Sequence, residues 1–126
     1  KRMLSSMTPA ILTKDGELFM MIGSPGGRTI INTVLLSILN VVDFGMNIQD
    51  AIDFPRFHHQ WLPDRIASEK NGLSPDTVAL LKQRGHNVVE SPFGQGVAQG
   101  IVWNKTDKVI EGGSDRRVLD GAAIGR

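Results

Sequence analysis

The chain has 126 residues and no cysteine, and its 14 Lys and Arg against 13 Asp and Glu leave a formal net charge of +1. That balance gives no electrostatic footprint for nucleic acid or an anionic membrane. The missing cysteine excludes disulfides, thiolate nucleophiles and Cys-based zinc sites. At 40% apolar and 21% charged residues the composition is that of a chain able to bury a core.

In chain order, Ser6 to Thr13 leads into an apolar run and Leu18 to Ile22 forms another. Asp15-Gly16 between them predicts a hairpin, and the unbroken run Leu18-Phe19-Met20-Met21-Ile22 predicts a strand buried on both faces. A helix is expected from Arg28 or Thr29 to about Phe44. Its apolar positions Ile30, Ile31, Val34, Leu35, Ile38, Leu39, Val41 and Val42 form a broad stripe, so it should be largely buried. Asn32, Ser37, Asn40 and Asp43 interrupt that run, which is too short and too polar to cross a bilayer.

Asn47 suits the N-cap of a short helix, Ile48 to Asp53, which Pro55 stops. Arg56 to Asp64, with the His58-His59 pair and Trp61, reads as irregular or extended. Arg65 to Glu69 is a short strand. Ser74-Pro75-Asp76 combines a cap, proline at the first helical position and an acid in the first turn, and opens a helix to Gly85. Strands follow at Asn87 to Glu90, Gln99 to Trp103 and Lys108 to Glu111. The expected order is β-β-α-α-β-α-β-β-β, without repeat or linker, in one mixed α/β layer structure. The 14 glycines and the opening Lys1, with no initiator Met, suggest a fragment or processed subunit.

The most informative segment is Gly23-Ser24-Pro25-Gly26-Gly27, between a strand and a long helix. The first N–H groups of a helix lack internal partners and carry partial positive charge. Glycines let another group approach the backbone closely. Such a loop is suited to an anion. The anion is either phosphate, or the oxyanion of a tetrahedral acyl intermediate held by the Gly26 and Gly27 N–H groups. Neither a Lys-Ser/Thr after the glycines nor a G-x-G-x-x-G spacing supports phosphate. From spacing alone, a helix-opening turn that binds nothing remains as open as the two anion sites together.

Ser5-Ser6 precede the first strand, where paired hydroxyls either bind a carboxylate or cap a turn. His58 and His59 point to opposite faces of an extended segment, which favours hydrogen bonding or packing over a metal. Asp15, Asp43, Asp50 and Asp53 read as turn and solvated helix residues. Arg56 reads as an internal ion-pair partner. Asp115-Arg116-Arg117 reads as a solvated turn ahead of a phosphate site. Ser24 in G-S-P-G-G does not match a G-x-S-x-G nucleophile elbow.

Taken together, five segments resemble one family. They are Leu4-Ser5-Ser6-Met7-Thr8-Pro9, the Gly23–Gly27 loop, Asn47 to Ala51 with Pro55 to Asp64, Gly112-Gly113-Ser114-Asp115-Arg116, and the closing Gly121-Ala122-Ala123-Ile124-Gly125. In this order, across essentially the whole chain, they resemble the γ-glutamyltransferases. The resemblance implies the N-terminal-nucleophile hydrolase αββα sandwich, of which residues 1–126 would be a partial piece. They would form the C-terminal portion of the small, catalytic subunit, a single incomplete domain.

It implies acyl transfer without a cofactor or metal. A threonine at the start of a self-cleaved small subunit, upstream of Lys1, attacks the γ-glutamyl amide of glutathione or a related compound. The acyl group then passes to water, an amino acid or a dipeptide. Gly26 and Gly27 take the oxyanion role, and Ser5 and Ser6 bind the α-carboxylate of the glutamyl group. Arg116 stands where the family often has proline. The resemblance further implies a periplasmic or extracellular location. The partners expected are the large subunit and the rest of the small subunit, or a second copy of this chain through exposed apolar surface and strand edges. Two alternatives stand beside this reading: a related acylase acting on a β-lactam side chain or poly-γ-glutamate, and, more remotely, a phosphate-binding module.

Overall fold

A computed structural model describes residues 7–125, which fall into two compact units: residues 7–54 with 96–125, and residues 55–95. In the first unit, β1 (Ala10–Lys14), β2 (Glu17–Gly23), β6 (Gln99–Asn104) and β7 (Val109–Ser114) form an antiparallel sheet in the order β1-β2-β6-β7. Asp15 (φ 55°) and Gly16 (φ 80°) make the expected hairpin turn with positive φ at both central positions, the hand that matches strand twist.

The pairing of β1 with β2 shifts after Leu12: Leu12 faces Met20 and Thr13 faces Leu18. Phe19 is thus the extra residue of a bulge, and it packs with Met20 and Ile22 toward the core. Leu18 and Met21 remain on the exposed side. The expectation that β2 is buried on both faces is therefore corrected: one face is covered, and the other joins Ile101, Trp103 and Ile110 around a 310 Å³ hollow.

Helices α1 (Ile30–Val42) and α2 (Ile48–Asp53) cover the inner face. Met20, Ile22, Val34, Val41, Ile48, Ala51, Ile52, Ala98 and Val102 form the core. Asn47 caps α2 as expected, its side chain accepting from the Asp50 N–H at 2.9 Å. α1 starts at Ile30, one or two residues later than expected, after a 3₁₀ turn at Gly27–Thr29. It is also less buried: Ile31, Leu35 and Val42 are each about half exposed (55%, 49% and 53%). Its apolar stripe is wider than the two elements it meets, the 3.6-residue period placing these three beyond the core-facing arc.

α2 lies close on the sheet because Gly100 and Gly113, paired across β6 and β7, present no side chain beneath it. A Cβ on Gly113 would fall 2.9 Å from Ile52 Cδ1 and 3.0 Å from the Ile48 carbonyl oxygen. Beyond β7, the expected solvated turn at Asp115-Arg116-Arg117 leaves only Arg116 exposed, while Asp115 and Arg117 form a buried junction. Asp115 accepts from the Ala98 N–H (2.8 Å), the Arg117 N–H (3.0 Å) and Arg117 Nη1 (3.1 Å). Arg117 also donates to the carbonyls of Ile52 and Phe54 (both 3.1 Å), closing the C-terminal end of α2. Asp53, expected to be solvated, accepts from Gln49 Nε2 (2.8 Å) and the Arg116 N–H (3.2 Å).

The second unit pairs β3 (Phe57–His58) antiparallel to β4 (Ile66–Ser68), and β4 parallel to β5 (Val88–Glu90) across α3 (Pro75–Gln83). β3 falls within the segment Arg56 to Asp64 that reads as irregular or extended. Ser74 caps α3 through the Thr77 N–H, and Pro75 is its first residue. Arg56 is buried and donates from Nη1 to the Gln95 carbonyl at 2.7 Å. The Glu69 carboxylate ties the same two segments by accepting from the Arg56 N–H (2.9 Å) and the Gln95 N–H (2.6 Å). His58 and His59 make hydrogen bonds to Gln60 (3.1 Å) and Asp64 (3.0 Å).

Gly113→Ala tests the close seat of α2. Its Cβ would meet backbone as well as a flexible methyl, so a loss of roughly 1–3 kcal/mol is expected. Denaturant unfolding of the intact protein measures it; an unchanged midpoint would show that α2 does not rest on this strand pair.

Candidate functional site

The Gly23–Gly27 loop leaves β2 and opens the 3₁₀ turn that leads into α1. Two of its peptide units are held by their carbonyls. The Pro25 carbonyl accepts from Ser24 Oγ at 2.6 Å and from the Val97 N–H at 3.1 Å. The Gly26 carbonyl accepts from Thr29 Oγ1 at 3.0 Å and from the Thr29 N–H at 3.2 Å. Ser24 Oγ is buried and accepts in turn from the Val97 N–H at 3.0 Å.

The loop also meets backbone from the segment before β6. Gly26 has φ 147°, and a Cβ there would lie 2.8 Å from Gly96 Cα. Gly96 has φ 73°; a Cβ on it would collide with Thr33 Oγ1 and come within 2.9 Å of Ser24 Oγ. The two glycines are thus required by a backbone-to-backbone approach that no side chain would permit.

Gly26 and Gly27 are exposed, and neither N–H donates to an acceptor among the described residues. They sit at the positive end of α1, whose first turn carries no acidic residue to offset it. The neighbouring Arg28 side chain adds positive charge. The arrangement offers two adjacent main-chain donors to a small anion. The choice among oxyanion, phosphate and an empty turn stays open on this geometry, since unengaged amides are common to all three.

Ser5 and Ser6 lie outside the described residues. Two carboxylates are held below the usual carboxylate range. Glu17 is lowered by its hydrogen bond and ion pair with Lys105 at 2.5 Å, and Asp76 is lowered chiefly by a hydrogen bond from Ser74. The sequence reading passed over Ser24 as a failed nucleophile motif and did not consider Thr29 or Gly96. The signal available was local: hydroxyls flanking a Pro-Gly-Gly turn are well placed to bond its carbonyls.

The mixed sheet-and-helix piece and its glycine loop belong to an N-terminal-nucleophile hydrolase fold. The chain superimposes on a mutant γ-glutamyltranspeptidase from Helicobacter pylori with a TM-score of 0.85 and 42% identity, over 94% of this chain and 64% of that one. A family model described as gamma-glutamyltranspeptidase matches residues 1–125, and the chain belongs to that family. It is 46% identical over 125 residues to the glutathione hydrolase proenzyme of Escherichia coli K12, covering 99% of this chain. It is 37% identical, again over 125 residues and 99% of the chain, to that of Bacillus subtilis 168. The chain spans about a fifth (21%) of the length of both relatives.

The geometry separates the two loop glycines. Gly27→Ala meets open space and only the φ of 57°, so it should cost roughly 1–2 kcal/mol and leave the loop folded. Gly26→Ala adds a collision with the Gly96 backbone and should cost distinctly more. Unfolding free energies of the two variants in the intact protein check this; equal losses would mean that the Gly26–Gly96 approach imposes no constraint.

Proposed function

We propose that this chain is the C-terminal portion of the small subunit of a γ-glutamyltransferase, and that it supplies the enzyme's oxyanion hole. The observation that carries the reading is the pair of exposed, unengaged N–H groups of Gly26 and Gly27 in a chain of this family. The attacking group is a threonine outside this sequence. Its hydroxyl oxygen bonds to the γ-glutamyl carbonyl carbon of glutathione or a similar compound, and the threonine's own amine takes the hydroxyl proton. The carbonyl oxygen becomes negative, and the two glycine amides stabilise it where water is a poor competitor. The C–N bond of the γ-glutamyl amide then breaks, the substrate nitrogen takes the proton from the threonine amine and leaves as the free amine, and a glutamyl ester of the threonine remains. Water, an amino acid or a dipeptide then releases the acyl group through the same oxyanion.

Ser5 and Ser6 bind the α-carboxylate of the glutamyl group in this reading. The large subunit and the remainder of the small subunit complete the pocket. The exposed side of the four-stranded sheet, with Ile11 71% and Ile110 64% exposed, supports a further covering layer. No helix among the described residues is long and apolar enough to cross a membrane. The location proposed is periplasmic or extracellular.

Gly26→Val in the intact, processed enzyme should cripple turnover, because the side chain meets the Gly96 backbone and displaces the loop with its amides; the expected barrier increase is about 3–4 kcal/mol, comparable to losing one donor. Normal kcat would refute the role. Ser5→Ala with Ser6→Ala should weaken substrate capture by on the order of 1.5–3 kcal/mol per hydroxyl. Steady-state assays with γ-glutamyl and glutaryl anilides read this directly. Wild-type KM and kcat/KM in the double variant would remove the serines from the pocket.

A further inference from the structure

The hydroxyls of Ser24 and Thr29 lie on the opposite side of the loop's peptide units from the amides proposed to do the chemistry. A trans peptide is planar, with its C=O and N–H pointing in opposite directions. The N–H of Gly26 shares a plane with the Pro25 carbonyl, and the N–H of Gly27 shares one with the Gly26 carbonyl. Both carbonyls are clamped, each by one side-chain hydroxyl and one main-chain N–H. Pro25 is held by Ser24 Oγ (2.6 Å) and Val97 N–H (3.1 Å), and Gly26 by Thr29 Oγ1 (3.0 Å) and Thr29 N–H (3.2 Å).

We propose that Ser24 and Thr29 are positioning residues, each aiming one of the two oxyanion amides through the carbonyl of the same peptide plane. The inference rests on the oxyanion reading of Gly26 and Gly27. Clamping is needed there because the glycines have no side chains of their own to restrain them, and a free peptide plane could rotate its N–H away from the reacting oxygen. A hydrogen bond on each carbonyl also polarises the N–H at the other end of the same unit, which strengthens it as a donor to negative charge. The division of labour is one hydroxyl per amide. Ser24 is buried among Gly96, Val97 and Pro25; Thr29 is half-buried at the mouth of α1.

Because charge develops on the oxygen only as the acyl bond is attacked, mis-aimed amides slow acylation and leave ground-state binding unchanged. The test uses the intact, processed enzyme carrying Thr29→Val, Thr29→Ser, Ser24→Ala and the Thr29→Val/Ser24→Ala pair. The pre-steady-state release of anilide from a γ-glutamyl anilide yields the acylation rate constant and the substrate Kd separately. Thr29→Val and Ser24→Ala should each slow acylation roughly tenfold, less than outright loss of a donor. The pair should be slower by roughly a hundredfold, since the two act on different planes. Kd should stay within about twofold, and Thr29→Ser should restore the wild-type rate.

Should Ser24→Ala not fold, the two Thr29 variants carry the test alone. Unchanged acylation in Thr29→Val, or a Thr29→Ser variant as slow as Thr29→Val, overturns the proposal. So does a fall in Kd affinity that matches the fall in rate. Gly26→Val, assayed alongside, separates the two levels. If it abolishes acylation while the hydroxyl variants do not, only the aiming role fails; if it acylates normally, the oxyanion reading fails with it.

Discussion

The approach of one backbone to another at Gly26 and Gly96 is the constraint on which the candidate site depends. With no Cβ on either residue, the Gly23–Gly27 loop can lie against the segment before β6 closely enough for the Val97 N–H to reach the Pro25 carbonyl and Ser24 Oγ together. Thr33, buried on α1, fills the space beside Gly96, so helix and loop are set by the same contact. A side chain at either glycine would push these apart, and the carbonyl clamps would open with them. The donors that face outward are thus defined by what is packed behind them.

A second junction of the same kind fixes the other end of the unit. Gly100 and Gly113 leave a shallow floor for Ile48 and Ile52, and Asp115 with Arg117 then ties the last strand to the end of α2. An Arg at the carboxyl end of a helix meets orphan carbonyls and the negative end of the dipole, and a buried Asp beside it balances its charge. The ion pair between them, at 3.1 Å, leaves the Asp115 side chain without exposure and that of Arg117 with 17%. It is surrounded by hydrogen bonds, the condition under which a buried pair is tolerated at all.

Much of this order was legible because local chemistry decides it. Asp15-Gly16 fixes a hairpin turn by its φ values, and Ser74-Pro75-Asp76 starts a helix by capping. Asn47 opens α2, and Pro55 follows its end. The glycine loop was legible as a turn between a strand and a long helix but not in its construction. The bonds from the Val97 N–H to Ser24 and Pro25, far earlier in the chain, leave no trace in spacing, and neither does the Arg117 bond to the Ile52 carbonyl. Asp115 and Arg117 were misread for the same reason: beside the exposed Arg116 they look solvated until the chain brings Ala98 and the end of α2 beside them. The Phe19 bulge was hidden within an uninterrupted apolar run, where one extra residue changes which face each side chain meets without altering composition.

The apolar runs that were expected to be buried and are not carry information of their own. Ile11, Leu18, Met21 and Ile110 stand on one face of the sheet, and Ile31, Leu35 and Val42 on the outer arc of α1. Single exposed apolar residues need no explanation, but runs of them on a sheet face and along a helix do. Hydrophobic periodicity records burial in the fold for which a sequence was selected, and a chain spanning a fifth of its relatives' length holds only part of that fold. In an αββα sandwich a sheet is covered on both sides, by helices on one and by a second sheet on the other. The inner face has its helices in α1 and α2, while the outer face retains the composition of a surface meant to meet another sheet. The two-sided apolar pattern from Leu18 to Ile22 thus fits a sheet covered on both sides, whereas the described unit covers only one.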